Sequence, residues 1–257
     1  MGSELFDFAF FPKYDESIKY LAENLADKEE WEFSAKQTKS FTILKNYLEH
    51  TYRKLKQEKK IVYTLDNKHC CFNTGLVTSN LEDIFAYFEE YKVKTANHNT
   101  PFFFKGFLKK SDNVILKLFS SNFPDVANYF ESPDQLIFNP KCDLISDIDH
   151  IINDNSIRFP DPLTNEAELR RQLNGAIDDV KKKIRTNYTI AIPQFFNGKI
   201  QLLLPLCLTA GSPNADLALA VEKLNNSTYI AKTCLTIQMA YNNARLIVKP
   251  HSNWLKP

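Results

Sequence analysis

Apolar positions recur with helical spacing in three long segments of the chain. They predict amphipathic helices over residues 15–26, 40–58 and 165–185. Ser40 and Asn165 stand at the starts of the second and third helices, and both residue types favour the N-cap position. Each helix gathers its apolar side chains on one side, so each is expected to pack that side against a core.

The C-terminal third alternates between apolar and polar residues in the manner of β-strands. Asn197-Gly198 separates two such segments, and this dipeptide favours the two-residue type I′ turn of a β-hairpin. The pattern therefore predicts an antiparallel β-meander followed by a helix. The predicted strands cover residues 188–196, 199–208, 217–223 and 229–237, and the helix covers residues 240–248.

The first half of the chain contains shorter predicted elements. Residues 61–72 are typical of a β-hairpin, and the aromatic segment at 102–108 is typical of a strand. Short helices are predicted over residues 81–91 and 123–130. Residues 147–153 fit either a strand or a short helix, because the pattern there is too brief to choose between them.

Together these elements predict an α+β fold, with an antiparallel β-meander in the C-terminal part packed by helices and a helical N-terminal segment. The length of 257 residues suits one compact domain over residues 1–257. The Phe-Pro-Asp-Pro run at 159–162 indicates the alternative, a lobe boundary near 159–163. An apolar fraction of 44% is ordinary for a globular protein and excludes a disordered chain.

Neither a membrane span nor a secretory signal is expected. The longest apolar run covers residues 202–208 and contains Pro205, whereas a span needs roughly 20 apolar residues. Glu4 and Asp7 stand where a secretory signal would be positively charged. The five cysteines form no CxxC pair, which predicts reduced thiols in a cytoplasmic protein rather than a structural zinc site.

Charge is balanced overall but unevenly distributed. Residues 120–168 carry ten acidic and two basic side chains, whereas residues 169–257 carry twelve basic and four acidic ones. A basic C-terminal third predicts an anionic partner such as RNA or a phosphorylated nucleotide. In the alternative, the acidic and basic segments pack together and neutralise one another.

Paired amides in the predicted hairpin are the first candidate binding group. The Asn197-Gly198 turn sets Gln194 opposite Gln201 on one face of the two strands, with Lys199 nearby on the same face. Two neighbouring amides can form hydrogen bonds with the edge of a nucleobase. The alternative is that the two amides satisfy only each other.

The segment MAYNNAR at 239–245 is the most distinctive polar run in the chain. On a helix, Tyr241 and Arg245 are neighbours one turn apart, and Asn242 lies beside them. Tyr241 would stack on a base while Arg245 contacts a phosphate. In the alternative, the Tyr–Arg pair shields the sheet.

Two further lysines are candidate substrate-binding residues. Lys105 interrupts the aromatic segment at 102–108, as cations do in strands whose rings stack on RNA bases, although alternating rings also form cores. Lys223 follows Glu222 at the end of a predicted strand. This pair would contact a phosphate or would form a surface ion pair.

Acidic residues carry an alternative, enzymatic interpretation. Asp149 and His150 lie in an acidic segment, and with Glu222 they are candidate catalytic residues around a Mg²⁺ ion. The alternative is a solvated acidic loop. The motifs of dinucleotide-binding enzymes, P-loop NTPases, zinc peptidases and α/β-hydrolases are absent from the sequence. Mg²⁺ is the candidate cofactor of this interpretation, and its ligands are left open.

Six short motifs follow one another along the chain: CFNTGL at 71–76, FKGF at 104–107, DHI at 149–151, NY at 187–188, GKIQLLLPL at 198–206 and MAYNNARL at 239–246. Their order resembles the domain of unknown function 3825 family, and the resemblance extends from about Phe8 to Leu255. Members of that family often accompany RNA-associated modules in longer proteins. The resemblance therefore implies work on RNA or a nucleotide, and it supplies no established catalytic residue.

The sequence thus predicts an RNA- or nucleotide-binding domain whose site lies in the C-terminal meander and the helix after it. The alternative is a metal-dependent phosphodiesterase or nucleotide hydrolase that acts on RNA or a nucleotide, so enzyme activity is left open. A protein-interaction domain that uses the acidic segment 120–168 is the third hypothesis.

Overall fold

The structure, a computed structural model, describes residues 3–33, 40–93, 100–160, 165–209, 212 and 214–256. Contacts group the chain into two compact units, Met1–Asn128 and Tyr129–Pro257. Each unit contains helices and a five-stranded sheet, so the expected α+β class is confirmed. The boundary expected near 159–163 falls mostly on residues 161–164, which lie outside the described residues, and the single-domain organisation stays a prediction.

The described part of the first unit contains four α-helices and five strands. They are α1 (Glu4–Phe8), β1 (Ala9–Phe10), α2 (Tyr14–Tyr20), α3 (Thr42–Gln57), β2 (Val62–Tyr63), β3 (His69–Val77), β4 (Asp83–Glu90), β5 (Phe102–Lys109) and α4 (Asn113–Phe119). The strand order is β1-β5-β4-β3-β2, with β1 parallel to β5 and the other neighbours antiparallel. The predicted hairpin over residues 61–72 and the strand over 102–108 are both confirmed.

Helix α3 packs its apolar side onto the sheet, as the spacing predicts. Leu44, Leu48 and Leu55 are buried, and the ring centroids of Tyr52 and Phe72 on β3 lie 5.7 Å apart. Burial of four such side chains supplies the main stabilisation of this helix, since helix propensity alone is weak.

The start of α3 differs from the prediction that Ser40 is the N-cap. The Ser40 hydroxyl donates to a carboxylate oxygen of Glu32 at 3.3 Å and lies 2.8 Å from the Thr42 hydroxyl, and the helix begins without a side-chain cap. Phe41 occupies the N-cap position instead, in a left-handed conformation with φ 51°. The helix predicted over residues 15–26 is present as α2, which continues into a π-helical turn at Leu21–Leu25.

The helix predicted over residues 81–91 is wrong, because this segment is strand β4. All five residues from Ile84 to Phe88 are buried, and β4 pairs with β3 on one side and β5 on the other. A central strand covered on both faces carries a continuous apolar run instead of an alternating one, and such a run resembles the apolar side of a helix.

The short helix predicted over residues 123–130 is also wrong, since these residues form no regular secondary structure. Side chains from elsewhere in the first unit form hydrogen bonds with the backbone of residues 123–130. Lys60 donates to the carbonyl oxygen of Val126 at 2.8 Å, and Glu58 accepts from the backbone N–H of Asn128 at 3.1 Å. These tertiary hydrogen bonds replace the local ones that a helix would form. The helix of this region is α4, which the sequence pattern did not predict.

The described part of the second unit contains three α-helices and five strands. They are β6 (Asp143–Ile145), α5 (Ile148–Asn155), α6 (Glu166–Thr186), β7 (Ile192–Phe196), β8 (Lys199–Leu206), β9 (Leu217–Asn225), β10 (Thr228–Thr236) and α7 (Ile237–Arg245). The strand order is β6-β10-β9-β8-β7, so β7 to β10 form the predicted antiparallel meander, and β6 adds a parallel edge strand. Residues 147–153, for which strand and helix were both open, form the N-cap Asp147 and the first part of α5.

One face of the second sheet packs against α5 and α6. Leu204 on β8 and Leu219 on β9 are buried among Leu173, Ile177 and Val180 of α6. Asn165 caps α6 as predicted. The six apolar positions that keep helical spacing in this helix are all buried: Leu169, Leu173, Ala176, Ile177, Val180 and Ile184. Across the described residues, every helix is too short or too polar to cross a lipid bilayer.

Candidate functional site

A cleft of about 420 Å³ opens on the other face of the second sheet, beside α7. Its volume is typical of small-molecule sites, which span about 300–1,000 Å³. Strands β7 to β10, the turn between β7 and β8, and α7 all contribute to it. The lining residues are Gln194, Phe196, Asn197, Lys199, Gln201, Glu222, Lys232, Thr233, Leu235 and Asn243.

The register of the β7–β8 hairpin brings the polar groups together. Asn197 and Gly198 have φ values of 47° and 80°, as the predicted type I′ turn requires. This turn places Gln194 directly opposite Gln201. Leu202 pairs with Val221 on β9, so Gln201 lies opposite Glu222 one step further along the strands. Three polar side chains therefore form one row across three neighbouring strands.

Hydrogen bonds join this row to α7 in a continuous relay. Asn243 Nδ2 donates to Gln194 Oε1 at 3.1 Å, and Gln194 Nε2 donates to Gln201 Oε1 at 2.9 Å. Gln201 Nε2 then donates to Glu222 Oε2 at 3.3 Å. Gln194 and Gln201 are 1% and 7% exposed, so the relay forms the floor of the cleft. We call these four side chains the amide relay.

Glu222 is the acceptor at the end of the amide relay. Lys199 Nζ donates to its Oε1 at 2.7 Å, and Lys232 Nζ lies 3.9 Å from its Oε2. The hydrogen bond from Lys199 lowers the pKa of Glu222, Gln201 and Lys232 add to this effect, and partial burial opposes it. Glu222 is therefore ionised near neutral pH.

Ionisation of Glu222 fixes the orientation of the whole amide relay. A carboxylate only accepts hydrogen bonds, so Gln201 must turn its NH₂ group toward Glu222 and its oxygen toward Gln194. The same rule then orients Gln194 and Asn243 in turn. Asn243 Oδ1 is left as an acceptor that no donor among the described residues contacts. The relay thus presents a defined acceptor at the α7 side of the cleft.

An aromatic ring and two cations complete the walls of the cleft. The Phe196 side chain is 48% exposed although it is large and apolar. Phe196 lies opposite Lys199 in the hairpin. The Lys199 side chain is mostly exposed, and the Lys232 side chain is about half exposed. A flat apolar face, amide hydrogen-bonding groups and positive charge therefore adjoin one another in a single cleft.

Several predicted site residues lie outside this cleft. Lys223 is on β9 next to Glu222 and forms an ion pair with Asp134 at 3.4 Å. Adjacent residues of a strand point to opposite faces, so Lys223 belongs to the side that α6 covers. Lys105 is in the first unit, on β5, where it forms an ion pair with Glu89 at 3.2 Å.

The three residues predicted from the MAYNNAR segment also do not line the cleft. Tyr241 and Arg245 are only 3% and 4% exposed. Asn242 is half-buried, and its Oδ1 has no hydrogen-bond partner among the described residues. These side chains anchor α7, and their neighbour Asn243 supplies the contact to the cleft.

The acidic residues predicted for catalysis are dispersed. Asp149 and His150 lie on α5, where Asp149 pairs with Arg170 and His150 Nε2 lies 3.3 Å from Asp154. Neither residue lines the cleft that contains Glu222. Within the described ranges, no group of three His, Cys, Asp or Glu side chains is arranged to hold a metal ion. Asp149, His150 and Glu222 are therefore not brought together around one ion.

Six of the ten lining residues were not predicted for the site, and three of them bear on its chemistry: Phe196, Lys232 and Asn243. Phe196 has a sequence signal, because it is two residues after Gln194 and so lies on the same face of β7. Asn243 has a weaker signal, since it stands one helical turn after the buried Ala240. Lys232 has none, because a register irregularity in β10 decides where it lies.

A family model described as Domain of unknown function (DUF3825) matches residues 22–254. The chain belongs to this family. The resemblance that the six short motifs indicate is thereby confirmed. No curated protein and no solved structure matches the chain.

Every residue that lines the cleft falls within the segment that the DUF3825 model matches. Two of the motifs that resemble the family carry much of the site. GKIQLLLPL forms β8 with Lys199 and Gln201, and MAYNNARL forms α7 with Asn243. The cleft is therefore built from the DUF3825 part of the chain.

Proposed function

We propose that this DUF3825 protein is an RNA- or nucleotide-binding protein and that the cleft on β7–β10 receives one nucleotide. The observation that carries the proposal is the amide relay, which Glu222 orients at the floor of a cleft with an exposed Phe196 ring. Amide groups form paired hydrogen bonds with base edges, and exposed rings stack on the faces of bases. A nucleotide requires both contacts at once.

Binding without chemistry explains the state of Glu222 better than catalysis does. Its two carboxylate oxygens already accept hydrogen bonds from Lys199 and Gln201. A general base needs a free oxygen and a pKa near the working pH, and Glu222 has its pKa shifted downward. Glu222 therefore serves to orient the relay rather than to act as a general base.

Fluorescence anisotropy with short labelled single-stranded RNA tests the proposal, in the presence of Mg²⁺ and followed by a denaturing gel. We expect binding of intact RNA, and we expect Phe196→Ala to weaken it about fivefold or more, since stacking contributes about 1–3 kcal/mol per base. Tyr188→Ala is the matched control, because Tyr188 is an exposed ring of the same unit outside the cleft.

Equal weakening by both variants, or no binding, would contradict the proposal. Shortened RNA on the gel would instead support the phosphodiesterase alternative. The proposal also places the protein in the cytoplasm, and the support for this is that all five cysteines are free thiols.

A further inference from the structure

Beside the cleft, strand β10 contains one residue that has no partner on the neighbouring strand β9. Ala231 pairs with Val221 on β9 and Thr233 pairs with Ala220, so Lys232 has no partner in the ladder. Such a bulge bends the strand locally and redirects the side chain of the extra residue, and bulges are frequent beside functional sites. Here the bulge turns Lys232 into the lining of the cleft.

The two lysines of the cleft are engaged differently. Lys199 donates to Glu222 at 2.7 Å and so forms a close ion pair. Lys232 lies 3.9 Å from the same carboxylate, beyond hydrogen-bond distance, and its side chain is about half exposed. Among the described residues no other group accepts from Lys232. Its ammonium group therefore has donors that the protein does not use.

The charged side chains that line the cleft do not balance one another. Lys199 and Lys232 contribute two positive charges, and Glu222 contributes the single negative charge among the lining residues. Since Lys199 pairs closely with Glu222, the unneutralised charge is that of Lys232. A ligand group with one or two negative charges would balance it, as a phosphate diester or monoester does.

We infer that the ligand is bound in its phosphorylated form and that Lys232 contacts its phosphate. This inference rests on the proposed function and makes it more specific, because it distinguishes nucleotides from nucleosides. The phosphate belongs either to a free mononucleotide or to the backbone of RNA. Lys232 determines this specificity, whereas Lys199 positions Glu222.

Isothermal titration calorimetry with the four ribonucleosides and their 5′-monophosphates tests this inference. We expect at least one monophosphate to bind about tenfold or more tightly than its nucleoside, because hydrogen bonds to charged groups are the stronger ones. Lys232→Ala should bring that ratio close to one and leave nucleoside affinity unchanged. Lys232→Arg should largely restore the ratio.

Lys141→Ala is the matched control, since Lys141 is an exposed lysine of the same unit outside the cleft. A ratio near one in the wild-type protein, or an equal loss of nucleoside and monophosphate binding in Lys232→Ala, would overturn the inference while the proposed function stands. Absence of binding to nucleosides, monophosphates and RNA alike would overturn both.

A parallel measurement on single-stranded RNA identifies the source of the phosphate. If Lys232 contacts the RNA backbone, Lys232→Ala reduces the slope of log K against log salt by about 0.7, the value for one phosphate contact in a single strand. Lys141→Ala leaves the slope unchanged. An unchanged slope in Lys232→Ala, together with a monophosphate preference that Lys232→Ala abolishes, assigns the phosphate to a free mononucleotide.

Discussion

Gln194 and Gln201 face each other across the Asn197-Gly198 hairpin, and the Nε2 atom of Gln194 lies 2.9 Å from Oε1 of Gln201. Both side chains are almost fully buried, and each has a second hydrogen-bonded partner, Asn243 for Gln194 and Glu222 for Gln201. The pair therefore joins α7 to β9 through the floor of the cleft. The contribution of this pair to the free energy of unfolding can be measured directly.

Replacing one of these glutamines by leucine should cost about 1–3 kcal/mol in the free energy of unfolding. The reason is that Gln194→Leu leaves the buried oxygen of Gln201 without a donor, and Gln201→Leu leaves the NH₂ group of Gln194 without an acceptor. The double variant should cost less than the sum, with a coupling of about 0.5–3 kcal/mol. Urea unfolding of the four proteins measures the cycle, and strictly additive costs would contradict a relay.

The ion pair of Glu222 predicts a pH dependence of stability. Because its pKa is lower in the folded chain than the ordinary value of 4.5, ionised Glu222 stabilises the fold above about pH 4.5. This contribution is lost as the pH falls through the folded-state pKa. We therefore expect the melting temperature of wild type to exceed that of Glu222→Gln at neutral pH, and the difference to shrink in acid.

Glu131→Gln is the control for this pH series, since Glu131 is exposed in the same unit and pairs with no cation among the described residues. Its melting-temperature difference from wild type should stay small throughout. A difference for Glu222→Gln that grows as the pH falls would refute the assigned role. Glu222→Gln should also weaken RNA binding at neutral pH, because a glutamine both donates and accepts and so no longer orients the relay.

Gly75 in β3 allows a sharp test of the first unit. Its φ is +73°, and a Cβ atom there would lie 2.5 Å from the Tyr47 hydroxyl, which donates to the carbonyl oxygen of Thr74. Gly75→Ala should therefore cost about 2–4 kcal/mol, from the left-handed backbone and the disturbed hydrogen bond. Guanidinium unfolding measures this loss.

Gly175→Ala should have the opposite effect on stability, again measured by guanidinium unfolding. Gly175 lies inside α6, and a Cβ atom there meets no other atom within 4 Å. Alanine should stabilise the helix by about 0.5–1 kcal/mol. If both alanine variants destabilise the chain to the same degree, the conformational argument for Gly75 fails.

Arg245 should behave as a structural residue of α7. Its side chain is almost fully buried, so Arg245→Ala removes packing from the helix. We expect a melting temperature lower by several degrees, with RNA affinity changed less than twofold at temperatures where the variant is folded. Loss of RNA binding at unchanged melting temperature would instead restore Arg245 to the binding site.

Local sequence patterns predicted the second unit better than the first. The six apolar positions of α6 and the Asn197-Gly198 turn are signals within one element, and both appear as expected. The same turn also predicted the Gln194–Gln201 pair, because a two-residue hairpin fixes its register. Strand β4 was mistaken for a helix because its burial on both faces depends on elements distant in sequence.

The candidate site could be predicted only in part for similar physical reasons. Gln194, Gln201 and Lys199 follow from the register of the hairpin, and they line the cleft together with Glu222, which was predicted as a catalytic residue. The position of Lys232 depends on a bulge that no residue pattern indicates. Helix α7 reaches the cleft through Asn243 and not through the predicted Tyr241 and Arg245, because tertiary packing sets the rotation of a helix about its axis.

The parallel pairing of β6 with β10 sets the order in which the second unit can be completed during synthesis. Asp143 must wait for Thr228, its partner in the sheet, to leave the ribosome. Asn243 emerges later still, after every strand of the meander. A nascent chain that ends before α7 carries both glutamines and Glu222 but lacks Asn243, so the amide relay is complete only after α7 has packed against the sheet.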